Sequence, residues 1–295
     1  MKSVYKFLSI IAVGVLFSSC EDVVQVKLDE GSKLYVIDAF IDDLPGIQTI
    51  KVTTNDSYFS NREAPGVSGA EVVLNDLTAS KSYTFTYSAD GKYVYNVAEN
   101  NPILVVGHQY QINVSLDGST YTALSTVNRK ANVLGILSLT PEEAGGFGPP
   151  NSAEIFYCNV IAFDKTDANT DYYLVKTIRN DTLFFGPSDI NIAIDGTQGP
   201  VNSTEFDSTL FTPPVSFLNF RSFLRGDKCE VQIHSISKEA YYFFVQANTQ
   251  INNGGLFATT PENVKTNIVT PNGAKYKAVG WFNTAGVSRS KITVP

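Results

Sequence analysis

Two histidines, His108 and His234, are all that the chain offers for imidazole acid–base or metal chemistry, and they lie far apart in the sequence. A zinc site of the hydrolase type needs ligands at short fixed spacing, and neither a His-Glu-x-x-His run nor a Cys-x-x-Cys pair occurs. A serine nucleophile would have to use one of the same histidines, but the Gly-x-Ser-x-Gly turn that presents such a serine is missing. Asp167-x-Asn169-x-Asp171 supplies the first three oxygens of a calcium loop. The position that must be glycine for the loop to bend is Tyr172, and the position of the bidentate glutamate is Ile178, so the stretch reads as a solvated turn. Gly145-Gly146-Phe147-Gly148 runs into Pro149-Pro150, which removes the N–H donors and the helix start that a phosphate cradle requires. These residues predict no catalytic group, no metal site and no cofactor.

The three cysteines carry different chemistry. Cys20 stands at the end of a secretory pattern: Met1, Lys2 and Lys6 bring positive charge, an apolar run extends from Phe7 to Phe17, and Ser18-Ser19 precede the cysteine. The run, about 11 residues, falls well short of the roughly 20 that a helix needs to cross the hydrocarbon core, so it reads as a signal and not a span. Leu16-Phe17-Ser18-Ser19-Cys20 looks like a lipobox. Residues 1–19 are thus expected to be a lipoprotein signal peptide, Cys20 the lipidated residue, and 20–29 the tether of a body held at a membrane by its acyl chains. Cys158 and Cys229 fall on inward faces of strands in the same half of the chain, where they could pair as a disulfide in an oxidising compartment or remain buried thiols.

The formal net charge is −7, and it becomes more negative once Lys2 and Lys6 leave with the signal. An acidic body repels nucleic acid and anionic lipid headgroups, so nucleic acid is excluded as a partner. Abundant Tyr, Phe, Val, Ile and Thr point to a mainly β fold.

The elements that would position any site follow from periodicity. Strands are expected at Leu34 to Ile41, Ile50 to Thr54, Val67 to Leu74, Lys81 to Tyr87 and Tyr93 to Val97. A hairpin joins Gln109–Leu116 to Thr120–Val127 across Asp117-Gly118. Short strands at this spacing make an immunoglobulin-like β-sandwich over residues 30–128. Residues 129–295 read as a second β-sandwich or barrel-like domain. In it Phe156, Cys158, Val160 and Ala162 share one face of a central strand, and a long polar stretch runs from Gly186 to Thr212. One packed helix is expected near 238–252, capped by Ser237 and ended by Gly254-Gly255.

Several short motifs occur along the chain in this order: Cys20-Glu21-Asp22, Leu34-Tyr35-Val36-Ile37, Val67-Ser68-Gly69-Ala70-Glu71-Val72, Asp90-Gly91-Lys92-Tyr93, Val106-Gly107-His108-Gln109-Tyr110-Gln111-Ile112, Asp171-Tyr172-Tyr173, Pro261 to Ile268 and Gly280-Trp281-Phe282. Their order resembles a family of outer-membrane lipoproteins from Bacteroidota known as a domain of unknown function, four-two-four-nine. The resemblance covers nearly the whole chain after Cys20, though here Thr270 to Lys277 separate the last two elements. The first domain also resembles carboxypeptidase-regulatory and prealbumin-like modules, through Gly69 to Leu74, Asp90 to Tyr93 and Val106 to Tyr110, and such modules are non-catalytic spacers or docking units. Because genes of the lipoprotein family often neighbour TonB-dependent receptors, the resemblance implies an accessory or ligand-capture component of such a receptor.

Glu21-Asp22 resembles the acidic export signal that sends lipoproteins of this bacterial group to the cell surface, with the periplasmic face of the outer membrane as the alternative. Asp181-Thr182-Leu183 and Asp207-Ser208-Thr209 resemble the O-glycosylation sites of such bacteria. A second expectation is a free-standing surface binder of glycan or protein, resting on the many aromatics and the polar stretch 186–212. Trp281, the only tryptophan, is the candidate ligand contact and the natural fluorescent probe.

Overall fold

A computed structural model describes residues 31–57, 60, 62–139, 155–163, 169–184, 186, 189–195, 211–212, 222–254, 259–260 and 262–295. Lys33–Asp56 and Asn61–Pro295 form one compact unit; Met1–Ser32 with Ser57–Ser60 form another, of which residues 31, 32, 57 and 60 are described. Cys20, the signal and tether, the Pro141–Pro150 loop, Asp167, the site at 207–209 and most of 186–212 lie outside the described residues.

Seven strands follow the alternation of apolar residues: β1 (Leu34–Asp42), β2 (Gly46–Thr54), β3 (Glu71–Asp76), β4 (Lys81–Tyr87), β5 (Lys92–Val97), β6 (Gln109–Leu116) and β7 (Ser119–Thr126), the third starting at Glu71 and not at Val67. Asp90-Gly91 and Asp117-Gly118 make the turns between β4 and β5 and between β6 and β7, with positive φ at all four residues. Gly91 also sits so close to β2 that a Cβ there would lie 2.2 Å from the Val52 carbonyl oxygen. Alternate residues point inward and share one core, in which Ile37, Ile50, Leu74, Tyr93, Tyr110 and Tyr121 are fully buried.

The second half supplies β8 (Asn132–Leu139), β9 (Ile155–Phe163), β10 (Tyr172–Arg179), β11 (Thr182–Phe184), β12 (Asn191–Asp195), β13 (Phe211–Thr212), β14 (Ser222–Leu224), β15 (Lys228–Ile236), helix α1 (Lys238–Ile251) and β16 (Lys277–Thr293). β9 is the middle strand of a three-stranded sheet, β14-β9-β8, as its apolar run predicts. Phe156, Cys158 and Val160 enter a second core, where they meet Tyr173, Val175, Val231 and Ile233 of the facing sheet. The opposite face of β9 is more open than the sequence implies, with Ile161 exposed. The chain is therefore mainly β, built as β-sandwich layers with, among the described residues, one packed helix.

Ser237 caps α1 as expected: its hydroxyl accepts from the Ala240 N–H at 3.0 Å. The helix stops earlier than Gly254-Gly255. Asn252 ends it, donating its backbone N–H to the Asn248 carbonyl, while its side-chain amide donates to the same residue.

A boundary at residue 128 does not separate the two cores, because β16 serves both. Lys277 to Ala285 pair in parallel with β1, and Gly286 to Thr293 pair antiparallel with β15. Ala278 and Phe282 enter the first core together with Ile268, so the sandwich begun at Leu34 takes residues from the far end of the chain. One hydrogen-bonded path then runs β13-β12-β10-β15-β16-β1-β2-β5-β4-β3-β6-β7.

Candidate functional site

Among the described residues, no strand pairs with the edge of β16 that faces away from β1 over Ala278 to Thr284, and side chains take that role. The Asn267 carboxamide mimics a peptide group: its Oδ1 accepts from the Phe282 N–H at 2.9 Å and its Nδ2 donates to the Phe282 carbonyl at 2.7 Å. Thr270 Oγ1 accepts from the Ala278 N–H, Thr266 Oγ1 donates to the Gly280 carbonyl, and Ser125 Oγ accepts from the Thr284 N–H. A bridge between Thr122 and Val269 ties the segment to β7. Backbone groups that would otherwise be buried without partners are thereby satisfied, and the seam between β7 and β16 closes.

Above this seam lies a groove of about 800 Å³. Its walls come from Leu124 and Thr126 of β7, Lys238, Tyr242, Phe243 and Gln246 of α1, and Lys265 to Asn267, with Trp281 at its base. Trp281 is only 5 % exposed, and Phe243 stacks on it with ring centroids 4.9 Å apart. Phe243 and Phe244 both pack against Phe40 of β1. Tyr242, by contrast, is 52 % exposed and Leu124 equally so. The indole N–H of Trp281 is buried and has no acceptor among the described residues, a cost that native cores seldom carry. Lys238, Glu239 and Lys265 are exposed and give the groove charges of both signs.

The residues singled out from the sequence do not converge. Trp281 lies in the groove, but beneath Phe243, so its indole is a floor and Tyr242 is the ring a ligand would meet first. Tyr241-Tyr242-Phe243-Phe244 carries a signal for this: at about 100° per helical residue, four consecutive rings cannot share one face, so at least one must look outward. Leu124, Gln246 and Lys265 come from three distant segments and have no local signature. Cys158 and Cys229 lie in the second core as two buried thiols.

Both histidines are engaged in holding the fold. His108 Nδ1 lies 2.9 Å from Asp76 Oδ2, and the same carboxylate accepts from the Tyr110 hydroxyl and from the N–H groups of Thr78 and Ala79. Burial alone would push the Asp76 carboxyl up, but these donors outweigh it and hold it below the usual range. His234 is 3 % exposed on β15. Its Nε2 lies 3.0 Å from the Gln232 Oε1, and Gln232 in turn donates to Glu230, so the ring carries its proton on Nε2. Burial first, and then the Lys176 ammonium, hold His234 well below the ordinary imidazole value, leaving it neutral at pH 7. Asp171, from the calcium-like stretch, is paired with the Arg129 guanidinium.

The model of the family described as Domain of unknown function (DUF4249) matches residues 21–291. The chain belongs to this family. No curated protein matches it. Among solved structures, this DUF4249 chain is 12 % identical to one described as "Structural insight into host cell surface retention of a 1.5-MDa bacterial ice-binding adhesin". That overlap covers 91 % of this chain and 66 % of the other, with a TM-score of 0.19. The FN1-FN3 domains of chicken CNTN1 are also 12 % identical, over 72 % of this chain and 62 % of the other, with a TM-score of 0.22. Superpositions this loose carry no argument about fold or function.

Proposed function

We propose that this DUF4249 member is a non-catalytic lipoprotein of the outer membrane, anchored through Cys20, that captures a ligand in the groove between α1 and β7 as an accessory to a TonB-dependent receptor. The observation that carries the reading is the groove itself. It joins an exposed aromatic, Tyr242, to a rigid aromatic floor, Phe243 on Trp281, beside charged and amide groups, which is the mixture of apolar surface and few polar contacts that ligand sites use. The roles of His108 and His234 support the non-catalytic part, since each is bound into a structural network. The lipobox at Leu16 to Cys20 and the family resemblance support the address and the partner.

A free-standing surface binder of glycan or protein is the second reading, and the 52 % exposure of Tyr242 favours it, since sugar rings and protein anchors both use such aromatic faces. Pull-down of the lipidated protein from its native envelope in mild detergent, with partners identified by mass spectrometry and Cys20→Ala as control, separates the two. A stoichiometric β-barrel receptor is the expected outcome; the lipoprotein recovered alone would remove the receptor from the reading and leave the free-standing binder. For any ligand then found, Tyr242→Ala should weaken binding by about tenfold or more without moving the melting temperature.

A further inference from the structure

Cys158 lies on β9 and Cys229 on β15, strands of two different sheets that face each other across the second core. They are 0 % and 1 % exposed within the same core, and the Cys158 side chain is the foremost influence on the Cys229 thiol, so the two are neighbours between the layers. Phe156 and Val160 flank Cys158 on the inward face of β9, and Val231 and Ile233 continue the inward face of β15 beyond Cys229. Among the described residues no third metal-ligating side chain joins the pair, whose core neighbours are aliphatic and aromatic. A chain exported past the cytoplasm folds where dithiols are oxidised.

We propose that Cys158 and Cys229 form a disulfide during folding in the cell envelope, stapling the β14-β9-β8 sheet to the long sheet. One cysteine, as thiolate, attacks the disulfide of an oxidised thiol–disulfide oxidoreductase and forms a mixed disulfide. The second cysteine displaces the oxidant's sulfur. The chain loses two protons and two electrons, the new S–S bond forms, and the oxidant leaves as a dithiol. The exchange has to precede closure of the sandwich. In the folded molecule the Cys158 side chain and then burial push the Cys229 thiol up, and neither sulfur is accessible to a protein oxidant.

The pairing rests on export and not on the ligand of the groove, so the two readings fail separately. The test is to denature the purified lipoprotein in acid, alkylate without reductant and map the cysteine peptides. The expected result is a linked Cys158–Cys229 peptide, with intact mass about 2 Da below that of the reduced chain. Both cysteines alkylated in envelope-purified protein would overturn the proposal. If the protein is not recovered from the envelope, export is what fails, and refolding the reduced full chain in a glutathione redox buffer still decides the pairing by the same map. The bond would close a loop of roughly 70 residues, so reduction should lower the melting temperature by about 10 °C. The Cys158→Ala/Cys229→Ala variant should show no response to reductant; an equal response in that variant and the parent would also overturn the proposal.

Discussion

The two halves of β16 are one continuous strand in two kinds of surroundings. Over Lys277 to Ala285 the strand runs parallel to β1, with Phe282 and Ala278 in the first core and Trp281 under α1, and its free edge is closed by the side chains of Thr266, Asn267, Thr270 and Ser125. Over Gly286 to Thr293 it runs antiparallel to β15, and from Ser288 on it alternates half-buried Ser288, Ser290 and Ile292 with exposed Arg289, Lys291 and Thr293. The first half has content on both faces and hydrogen-bonded neighbours at both edges. The second half has one wet face. Substitutions should therefore be far more costly before Gly286 than after it.

Gly280 is where that contrast is sharpest. Its φ is +111°, and a Cβ placed there would stand 2.1 Å from the Ile37 carbonyl oxygen on β1. Backbone, not a flexible side-chain end, is in the way, so β1 and β16 would have to separate. Gly280→Ala is expected to cost more than about 3 kcal/mol, measured by urea unfolding, because clash and backbone strain add. Ser290→Ala, at a half-buried position in the second half, should stay within about 0.5 kcal/mol. Equal effects would show that the two halves are not distinguished by their surroundings.

The polar ladder beside the second half gives the next test. His234 is buried and neutral, with Gln232 on its Nε2, Asp42 of β1 4.0 Å from its Nδ1, and Lys176 of β10 adding a like charge. Its folded pKa is depressed, so between that value and about 6.5 the unfolded chain binds a proton that the folded chain does not. The stabilisation from neutral His234 is complete above about pH 6.5 and declines as pH falls below it, with a limiting slope of about 1.4 kcal/mol per pH unit for one proton. Asp76, Asp227 and Glu230 have depressed carboxyl pKa values, and their contributions are lost only at lower pH, below the ordinary carboxylate range. Urea midpoints between pH 7 and 5 should fall more steeply for the parent than for His234→Gln, in which Asp38 and Lys176 keep their own pH dependence. An unchanged slope in that variant would place the acid sensitivity elsewhere.

Much of this architecture is legible along the chain because it is local. Alternation gives β1 to β7, the Asp-Gly pairs give two of their turns, Ser237 starts the helix, and the inward residues of β9 are read correctly. What is not legible is long-range. Parallel pairing of Leu34–Asp42 with Lys277–Ala285 joins opposite ends of the sequence, and a strand partnered in parallel leaves no hairpin signal. For the same reason the groove is only partly foreseen. Trp281 stands out as the single tryptophan, but its burial under Phe243 depends on α1 crossing a strand that arrives some thirty residues later, roughly a βαβ-scale separation. Asn252 ends the helix before the glycines do because its amide returns to Asn248, one turn back, which a glycine count overlooks.

A further small effect is expected on the exposed face of the second half. Lys291 Nζ is 2.6 Å from Glu230, and Arg289 approaches the same carboxylate at 3.4 Å. Burial pushes the Glu230 carboxyl up, but Gln232, Lys291 and Arg289 more than reverse it. The lysine side chain is 58 % exposed while the glutamate is 11 % exposed, so the pair is screened on one side only. Lys291→Ala should cost about 0.5–1 kcal/mol in low salt, near the top of the range for surface pairs, because Arg289 and Gln232 still serve the carboxylate. Raising the salt to about 1 M, where the Debye length shrinks to about 3 Å, should erase most of the difference between variant and parent. A loss several times larger, or one indifferent to salt, would mean that Glu230 depends on Lys291 as a buried ion depends on its partner, and the second half of β16 would then be as constrained as the first.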